Sequence, residues 1–303
     1  MRSNGPGGAM AEEISRAGFA ALLGRPNAGK STLLNRLLGE KLAIVSARPQ
    51  TTRSRLLGIV QHGSAQILLL DTPGVQAGRR RLDAALNKMV AEAADDCDVA
   101  CLLADPAVGW PSDLEALRVR LAARGKPTLL VATKLDQPAS AAAPWPPRGM
   151  DPEVAALRVS ARTGEGVPAL LDAIAARLPE SPPLYPTDQL SDRPLRFLAA
   201  ELVREAAFGA LEQEIPYSLA VEVVEWDEAH PDRIRIRMNL IVERVSQRRI
   251  AIGAGGAMIK RIGSEARREL ERLLGKRVHL ELWAKVDPRW SRSPNRLKSL
   301  GYS

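Results

Sequence analysis

The sequence contains only two cysteines and no long apolar run, and each shortage excludes a class of protein. Cys97 and Cys101 lie in an apolar segment, without a further cysteine or histidine beside them at metal-ligand spacing. We therefore expect two buried thiols rather than a metal site or a redox centre. No apolar run approaches the roughly 18 residues that span a bilayer, so a transmembrane helix is not expected.

The N-terminal stretch also lacks the features of a secretory signal. Residues 1–16 are rich in glycine and contain Met10, Glu12 and Glu13 in place of a basic start followed by an apolar segment. We expect residues 1–16 to form a disordered tail and the protein to be cytoplasmic.

Length and charge indicate two domains with different partners. At 303 residues the chain is long for one core, and its charged fraction of 26% is ordinary for a globular protein. Residues 244–303 contain fifteen Lys and Arg against five Asp and Glu, a charge of +10, whereas the residues before them sum to −2. This asymmetry indicates a polyanionic partner, either a nucleic acid or an anionic membrane surface. A charge-rich solvated helix would account for part of it.

A phosphate-binding pattern, G-x-x-x-x-G-K-[ST], follows an apolar run at 19–23 that predicts a buried strand. Its residues are Gly24, Arg25, Pro26, Asn27, Ala28, Gly29, Lys30 and Ser31. Glycines let backbone N–H groups surround a phosphate, and the N-terminus of the next helix adds partial positive charge. We expect Lys30 to reach the outer phosphates and the Ser31 hydroxyl to bind Mg²⁺. A glycine-rich turn before an ordinary helix is the alternative, but it leaves the Lys-Ser pair unexplained.

Residues 17–179 alternate short apolar runs with helical stretches, which predicts an α/β domain with a mostly parallel sheet and helices on both faces. The predicted strands are 19–23, 56–61, 66–70, 99–104, 128–132 and 157–159, and the predicted helices follow Gly29, precede Cys97, and span 112–124 and 167–178. Residues 138–151 are rich in Ala and Pro and predict an irregular surface insertion. Residues 180–194 begin with a Pro-rich stretch and are the predicted interdomain linker.

Residues 195–303 have a different pattern, which predicts an α+β domain. A predicted helix at 197–208 precedes strands at 217–226 and 233–242, and the second strand alternates arginine with apolar residues. The turn between the later elements fits the GxxG loop of a KH domain, where bare backbone lets single-stranded nucleic acid approach. A basic helix at 257–274 and a strand at 278–286 complete the pattern. The predicted RNA-binding residues are Gly253, Ala254, Gly255, Gly256, Lys260 and Arg261. A glycine-capped helix with a charged outer face explains these residues equally well.

Three further segments narrow the choice of nucleotide. The predicted strand 66–70 ends in Asp71, Thr72, Pro73 and Gly74, which places a carboxylate near the Mg²⁺ ligands and a glycine N–H beside the terminal phosphate. Thr133, Lys134, Leu135 and Asp136 follow the strand 128–132, and Ser160 and Ala161 follow the last strand. The Asp136 carboxylate matches the N1–H and exocyclic amine of guanine, a pair that adenine lacks. A backbone N–H near Ser160 would contact the guanine carbonyl.

With residues 50–53, 216–218, 279–283 and 299–302, these motifs resemble those of the Era family, bacterial ribosome-assembly GTPases of the TrmE-Era-EngA-like superfamily. The resemblance extends from about residue 19 to 302. It implies a P-loop GTPase domain that binds GTP or GDP with Mg²⁺, followed by a type II KH domain. It further implies a monomer that binds the 3′ end of 16S ribosomal RNA on the 30S subunit, with a peripheral contact at the inner face of the cell membrane.

The resemblance also assigns two switch segments. Residues 50–53 would be switch I, in which Thr52 completes the Mg²⁺ ligands, and the loop from Gly74 to about residue 81 would be switch II. Lys30, Thr52 and Gly74 would then form the catalytic set for in-line attack of water on the terminal phosphate. We expect loss of that phosphate to release both switches.

Three positions depart from the pattern of the relatives. Val75 occupies the place where many GTPases have a glutamine that orients the attacking water, so we expect slow unaided hydrolysis. We hypothesise that K⁺ held partly by Asn27 accelerates it; the alternative is that Asn27 only stabilises the turn. Thr133 replaces an asparagine and Gly255 a lysine that are common in relatives, which should alter guanine-nucleotide affinity and weaken one RNA phosphate contact.

Two other functions remain open from the sequence. A P-loop kinase acting on a small metabolite would prefer ATP, and Asp136 argues against it. The second alternative is an RNA-binding protein whose nucleotide site is inactive. The presence of Lys30 and Asp71 argues against an inactive site, whereas Val75 in place of the glutamine leaves this alternative open.

Overall fold

A computed structural model describes residues 14–45, 56–74, 81–151, 154–212 and 215–300. Within these residues the chain forms a six-stranded sheet and then a three-stranded sheet. Helices cover the first sheet on both faces, giving two buried clusters, and the second sheet has its own core.

The six-stranded sheet has the order β2-β3-β1-β4-β5-β6. Its elements are β1 (Arg16–Gly24), α1 (Lys30–Leu38), β2 (Leu56–His62), β3 (Ala65–Asp71), α2 (Arg81–Asp96), β4 (Val99–Ala104), α3 (Ser112–Ala123), β5 (Thr128–Ala132), α4 (Pro138–Ala142), β6 (Ala156–Arg158) and α5 (Val167–Ala175). Strand β2 pairs antiparallel with β3, and all other neighbours pair in parallel. Strands β3 and β4 are buried along their whole length, as expected for strands covered on both faces. The predicted mostly parallel sheet is confirmed.

The three-stranded sheet has the order β7-β8-β9, with β7 antiparallel and β9 parallel to β8. Its elements are α6 (Leu195–Ala210), β7 (Leu219–His230), β8 (Arg233–Val242), α7 (Val245–Ile252), α8 (Ala257–Leu274), β9 (Arg277–Val286) and α9 (Pro294–Ser299). On β8, Ile234, Ile236 and Met238 are buried against α6 and α8, and the alternate residues face outward. The predicted arginine face over an apolar face is therefore present.

The prediction of an irregular surface insertion at 138–151 is wrong in part. Its first residues form the short helix α4, because Pro138 suits the first helical turn and the Arg158 guanidinium donates to the Ala141 carbonyl at 2.6 Å. Ser140 is buried and donates to Asp105 at 2.6 Å. Trp145 packs edge-on against Trp110, with ring centroids 5.9 Å apart. This segment therefore packs against the first domain.

Residues 180–194, the predicted linker, lie along the first sheet. The buried Gln66 side chain accepts hydrogen bonds from the Leu184 and Tyr185 N–H groups at 2.8 and 2.9 Å. The Ser191 hydroxyl donates to the Leu57 carbonyl at 2.6 Å. This segment is thus attached to the sheet, and the domain boundaries stay a prediction.

The two cysteines are buried thiols, as expected. Cys97 and Cys101 are each 0% exposed, and burial raises the pKa of Cys97 to about 11. Within the described residues, no three His, Cys, Asp or Glu side chains cluster in a way that could hold a metal ion. No described helix combines the length and the apolar character that crossing a membrane requires.

Candidate nucleotide site and nucleic-acid surface

The loop between β1 and α1 is shaped by backbone conformations and close approaches that few side chains tolerate. Asn27 and Gly29 have φ of 62° and 89°, in the left-handed region, and α1 begins at the next residue. A Cβ on Gly24 would lie 2.4 Å from the Leu103 carbonyl oxygen. A Cβ on Gly74 would lie 2.4 Å from the Pro26 nitrogen, so the end of β3 and this loop approach each other through bare backbone.

The Lys30 ammonium is held inside the same loop. Its side chain is 6% exposed, and Nζ donates to the carbonyls of Gly24 and Arg25 at 3.0 Å each. Burial lowers the pKa of Lys30 to about 8, and the nearby Asp71 carboxylate offsets only part of that shift. A desolvated cation surrounded by backbone dipoles fits a phosphate oxygen.

The Ser31 hydroxyl donates to Asp71 Oδ2 at 2.9 Å, across the end of β3. This arrangement directs the remaining lone pairs of Ser31 Oγ away from the carboxylate. Hydroxyl and carboxylate oxygens are hard donors, and they fit Mg²⁺. Thr72 is also tied down, because its hydroxyl donates to the Leu22 carbonyl at 2.9 Å. Thr52 and Val75 lie outside the described residues.

The segments after β5 and β6 meet around a cavity of about 300 Å³. It is lined by Gly29, Thr32, Leu33, Thr133, Lys134, Asp136, Gln137, Val159, Ala161 and Arg162. Ser160 Oγ donates to Asp136 Oδ1 at 2.8 Å, which fixes the orientation of that carboxylate. Lys134 has φ of 60°, and its ammonium pairs with Asp105 at 3.0 Å. The structure therefore brings the predicted base-contacting segments together beside the phosphate loop.

The sequence motifs did not reveal two residues that hold this site in place. Arg36 on α1 donates from Nε to the Ala161 carbonyl at 2.7 Å and also binds the Arg162 carbonyl. Asp113 at the start of α3 receives Arg25 Nε at 2.9 Å. Neither residue stands in a motif, so only their contacts reveal the role.

The GxxG turn connects α7 with α8 and is exposed at its centre. Gly253, Gly255 and Gly256 have φ of 75°, 56° and 81°. A Cβ added to Gly253 would lie 2.7 Å from Met258. A Cβ added to Gly255 or Gly256 would meet no heavy atom within 4 Å. Open space above the two later glycines leaves the backbone accessible. Lys260 and Arg261, in the first turns of α8, are exposed.

A second cavity, of about 230 Å³, lies between α8 and β9. It is lined by Ile259, Lys260, Gly263, Ser264, Arg267, Leu280 and Leu282. Helix α8 packs closely on β9 at Gly263, where a Cβ would make an ordinary van der Waals contact with Leu282 at 3.5 Å. Of the predicted RNA-binding residues, Lys260 lines the cavity and Arg261 does not. The apolar lining residues carried no signal in the sequence beyond ordinary core periodicity.

The two domains meet at the loop after α1. Lys41 Nζ lies 3.1 Å from Glu205 Oε2 on α6 and 3.3 Å from Glu269 Oε2 on α8. The Val45 N–H donates to the other Glu205 oxygen at 3.2 Å. Leu198 of α6 is part of the core of the first domain. Residues 41–45, which contact the second domain, therefore lie a few residues before the predicted switch I.

This fold and this site define a P-loop GTPase joined to a KH domain. A family model described as a 50S ribosome-binding GTPase matches residues 19–134, and a KH domain model matches residues 214–291. GTPase Era of Afipia carboxidovorans is 44% identical over 95% of this chain and 94% of its own. GTPase Era of Rhizobium meliloti is 44% identical over 95% of this chain and 93% of its own.

Two solved structures agree with these matches. A variant of Era from Aquifex aeolicus bound to GDP·AlF4⁻ is 36% identical, with a TM-score of 0.83 over 95% of this chain and 99% of the other. Era in complex with MgGDPNP and nucleotides 1506–1542 of 16S ribosomal RNA is 37% identical, with the same TM-score and the same shares covered. The chain belongs to the Era family of GTPases.

Proposed function

We propose that this protein is a GTP-driven switch that binds the 3′ end of 16S ribosomal RNA and assists maturation of that RNA and assembly of the 30S subunit. The main support is that one chain contains two cavities. The first is lined by Asp136 and lies beside the phosphate loop, and the second is lined by basic residues between α8 and β9. A relative 37% identical to this chain holds both MgGDPNP and a 16S ribosomal RNA fragment.

In this proposal the nucleotide base lies in the cavity lined by Asp136. The carboxylate, oriented by Ser160, accepts hydrogen bonds from N1–H and the exocyclic amine of guanine. Asp136→Asn should therefore weaken GTP binding and improve binding of xanthosine triphosphate, which offers an acceptor where guanine has the amine. Asp232→Asn, a change at an exposed turn, is the control. Retained GTP affinity in the Asp136 variant would remove the base assignment.

Hydrolysis is proposed to depend on the backbone cradle and on Lys30. Lys30 would stabilise charge on the outer phosphates, and the Gly74 N–H would bind the terminal phosphate. Ser31 and Thr52 would hold Mg²⁺, which when bound neutralises phosphate charge. The side chain of Val75 has no hydrogen-bonding group that could orient water. Asn27 is proposed to hold K⁺ in part, so turnover should be faster in K⁺ than in Na⁺ buffer. Equal rates in both buffers would refute the role of K⁺.

RNA binding is proposed to use the bare backbone of Gly253, Ala254, Gly255 and Gly256 together with the cations of α8. Lys260→Glu with Arg261→Glu should weaken binding of a 16S 3′-end RNA and reduce the salt slope by about 1.4, because two contacts to single-strand phosphates are lost. Lys88→Glu with Arg148→Glu changes charge equally at exposed positions of the first domain and serves as the control. An unchanged slope would show that the α8 cations face away from the RNA.

Nucleotide state is proposed to reach the KH domain through Lys41 and Val45. These residues precede switch I in the chain and contact Glu205 of α6. Loss of the terminal phosphate would alter switch I and so disturb this contact. In the GTP state, the KH domain would bind the RNA more tightly.

The remaining parts of the proposal are a monomeric state and a cytoplasmic location, with a peripheral membrane contact supported only by the basic C-terminal region. The competing function is an RNA-binding protein whose nucleotide site is inactive. Phosphate release from GTP by the purified wild-type protein, lost in Lys30→Met, separates the two.

A further inference from the structure

Trp283 on β9 is unusual because it is exposed. Its side chain is 62% accessible, whereas Trp290 is 3% accessible and donates its indole N–H to the Ser218 carbonyl. Trp110 and Trp145 pack against each other, and the Trp226 indole N–H binds Glu228. Trp283 is the one aromatic among the large apolar side chains that are exposed in the described part of the chain. A solvent-facing indole is typical of a contact surface rather than a core.

The sheet face around Trp283 carries both cations and carboxylates. Because side chains alternate, Arg233, Arg235 and Arg237 on β8 and Arg277 and Lys285 on β9 share the outer face with Trp283. Glu281 is the one carboxylate that these two strands add to that face, and it pairs with Arg235 at 2.9 Å. Arg237 pairs with Glu225 of β7 at 2.8 Å. Arg233, Arg277 and Lys285 have no ion-pair partner among the described residues. Strand β7 adds Glu222, Glu225 and Asp227 to the same face, so five cations stand there against four carboxylates. The cations without an ion pair are available to bind a polyanion.

Trp283 directly follows a residue that lines the α8–β9 cavity. Strand β9 is at the edge of its sheet, and Leu280 and Leu282 line that cavity. Trp283 is the residue after Leu282 and points to the opposite face of the same strand. A nucleic acid leaving the cavity across the open edge of β9 would meet the indole next.

We propose that Trp283 stacks on a base of single-stranded RNA that extends from the α8–β9 cavity around the edge of β9. Lys285, beside it on the same face, would contact the adjoining phosphate. Stacking on an aromatic ring accepts any base, so this contact would add affinity without sequence preference. The proposal rests on the RNA-binding function proposed above and extends it by a second contact on the far face of the sheet.

The test measures the affinity of full-length protein for a 16S 3′-end RNA and for RNAs of the same sequence with one abasic nucleotide at each position in turn. Trp283→Ala should weaken binding about 5- to 150-fold, the effect of losing one stacked base. Trp283→Phe keeps an aromatic face and should retain most of the affinity. One abasic position should weaken wild type and leave Trp283→Ala unchanged, because the stacked base is already lost.

The controls separate a local failure from a wider one. Val224→Ala, another exposed apolar residue on this sheet, should bind RNA as wild type does, and thermal unfolding checks that each variant folds. If Trp283→Ala binds like wild type while the Lys260, Arg261 double variant does not, the stacking proposal is refuted and RNA binding stands. If wild type binds no RNA, the proposed function fails. If Trp283→Ala binds RNA with wild-type affinity but no longer binds a protein partner, the stacking proposal is also refuted.

Discussion

Replacing Lys41 by methionine tests whether the interdomain contact stabilises the protein and transmits nucleotide state. The change removes the charge and keeps most of the apolar stem. Glu269 retains Arg272 at 2.9 Å after the change, but Glu205 keeps only the Val45 N–H among the described contacts. The cost should therefore fall mainly on Glu205, whose side chain is 15% exposed.

The magnitude lies between two limits. Exposed ion pairs contribute about 0–1 kcal/mol, and breaking a buried pair costs about 3–5 kcal/mol. The Lys41 side chain is 37% exposed, so solvent screens part of the interaction. We expect Lys41→Met to lower the free energy of unfolding by about 2 kcal/mol near neutral pH. Lys88→Met, at an exposed i,i+4 pair with Glu92, should cost at most about 0.5 kcal/mol.

The loss should depend on pH in a defined direction. Burial raises the pKa of Glu205, and Lys41 and the Val45 N–H counteract part of that rise. Without Lys41 the pKa of Glu205 rises further. A carboxyl whose pKa is higher in the folded than in the unfolded state favours folding at low pH, and this contribution is lost as pH rises through the folded value. Lys41→Met should therefore be less destabilising at about pH 5 than at about pH 8.

Urea unfolding followed by circular dichroism measures these differences, in a double-mutant cycle with Glu205→Gln. The two changes should be less than additive, because both remove one interaction. The ratio of RNA affinities with a GTP analogue and with GDP should also fall toward one in Lys41→Met. Additive losses with no pH dependence would refute the energetic argument, and an unchanged ratio would refute the coupling.

The nucleotide site gives three further predictions. The pKa of Lys30 is lowered in the folded protein, so between about pH 7 and pH 9 the unfolded state binds more protons than the folded state. In urea unfolding of nucleotide-free protein, the stability of wild type relative to Lys30→Met should therefore rise by about 1.4 kcal/mol over this range. Equal pH profiles of the two proteins would contradict this prediction. Gly74→Ala should lower GTP affinity at least about 10-fold in isothermal titration, because the added methyl group meets the backbone of Pro26. The control, Gly209→Ala in α6, should leave GTP affinity intact and add about 0.5–1 kcal/mol to the free energy of unfolding. Arg36→Met should speed release of a fluorescent GDP analogue several-fold by freeing the loop at Ala161, and an unchanged release rate would show that the loop holds its shape without Arg36.

Local patterns were sufficient for much of the architecture. Strand β3 could be predicted without knowing which strands pair with it, because the continuous apolar residues 67–70 already indicate a strand covered on both faces. Alternation at Ile234, Arg235 and Ile236 likewise predicted a half-buried strand. The helix at 138–142 was missed because its support is distant: the Arg158 guanidinium binds its carbonyls, and no local rule predicts that contact.

The chain order of residues was enough to locate the phosphate loop, the segments predicted to contact guanine and the GxxG turn, because each is a short backbone geometry encoded by adjacent residues. Contacts between distant segments required the folded structure. Distant residues meet where Arg36 contacts Ala161 and where Lys41 lies between Glu205 and Glu269. The exposure of Trp283 likewise depends on how segments far apart in the chain pack. Packing of helices and sheets determines which distant side chains meet, and a one-dimensional pattern does not contain that information.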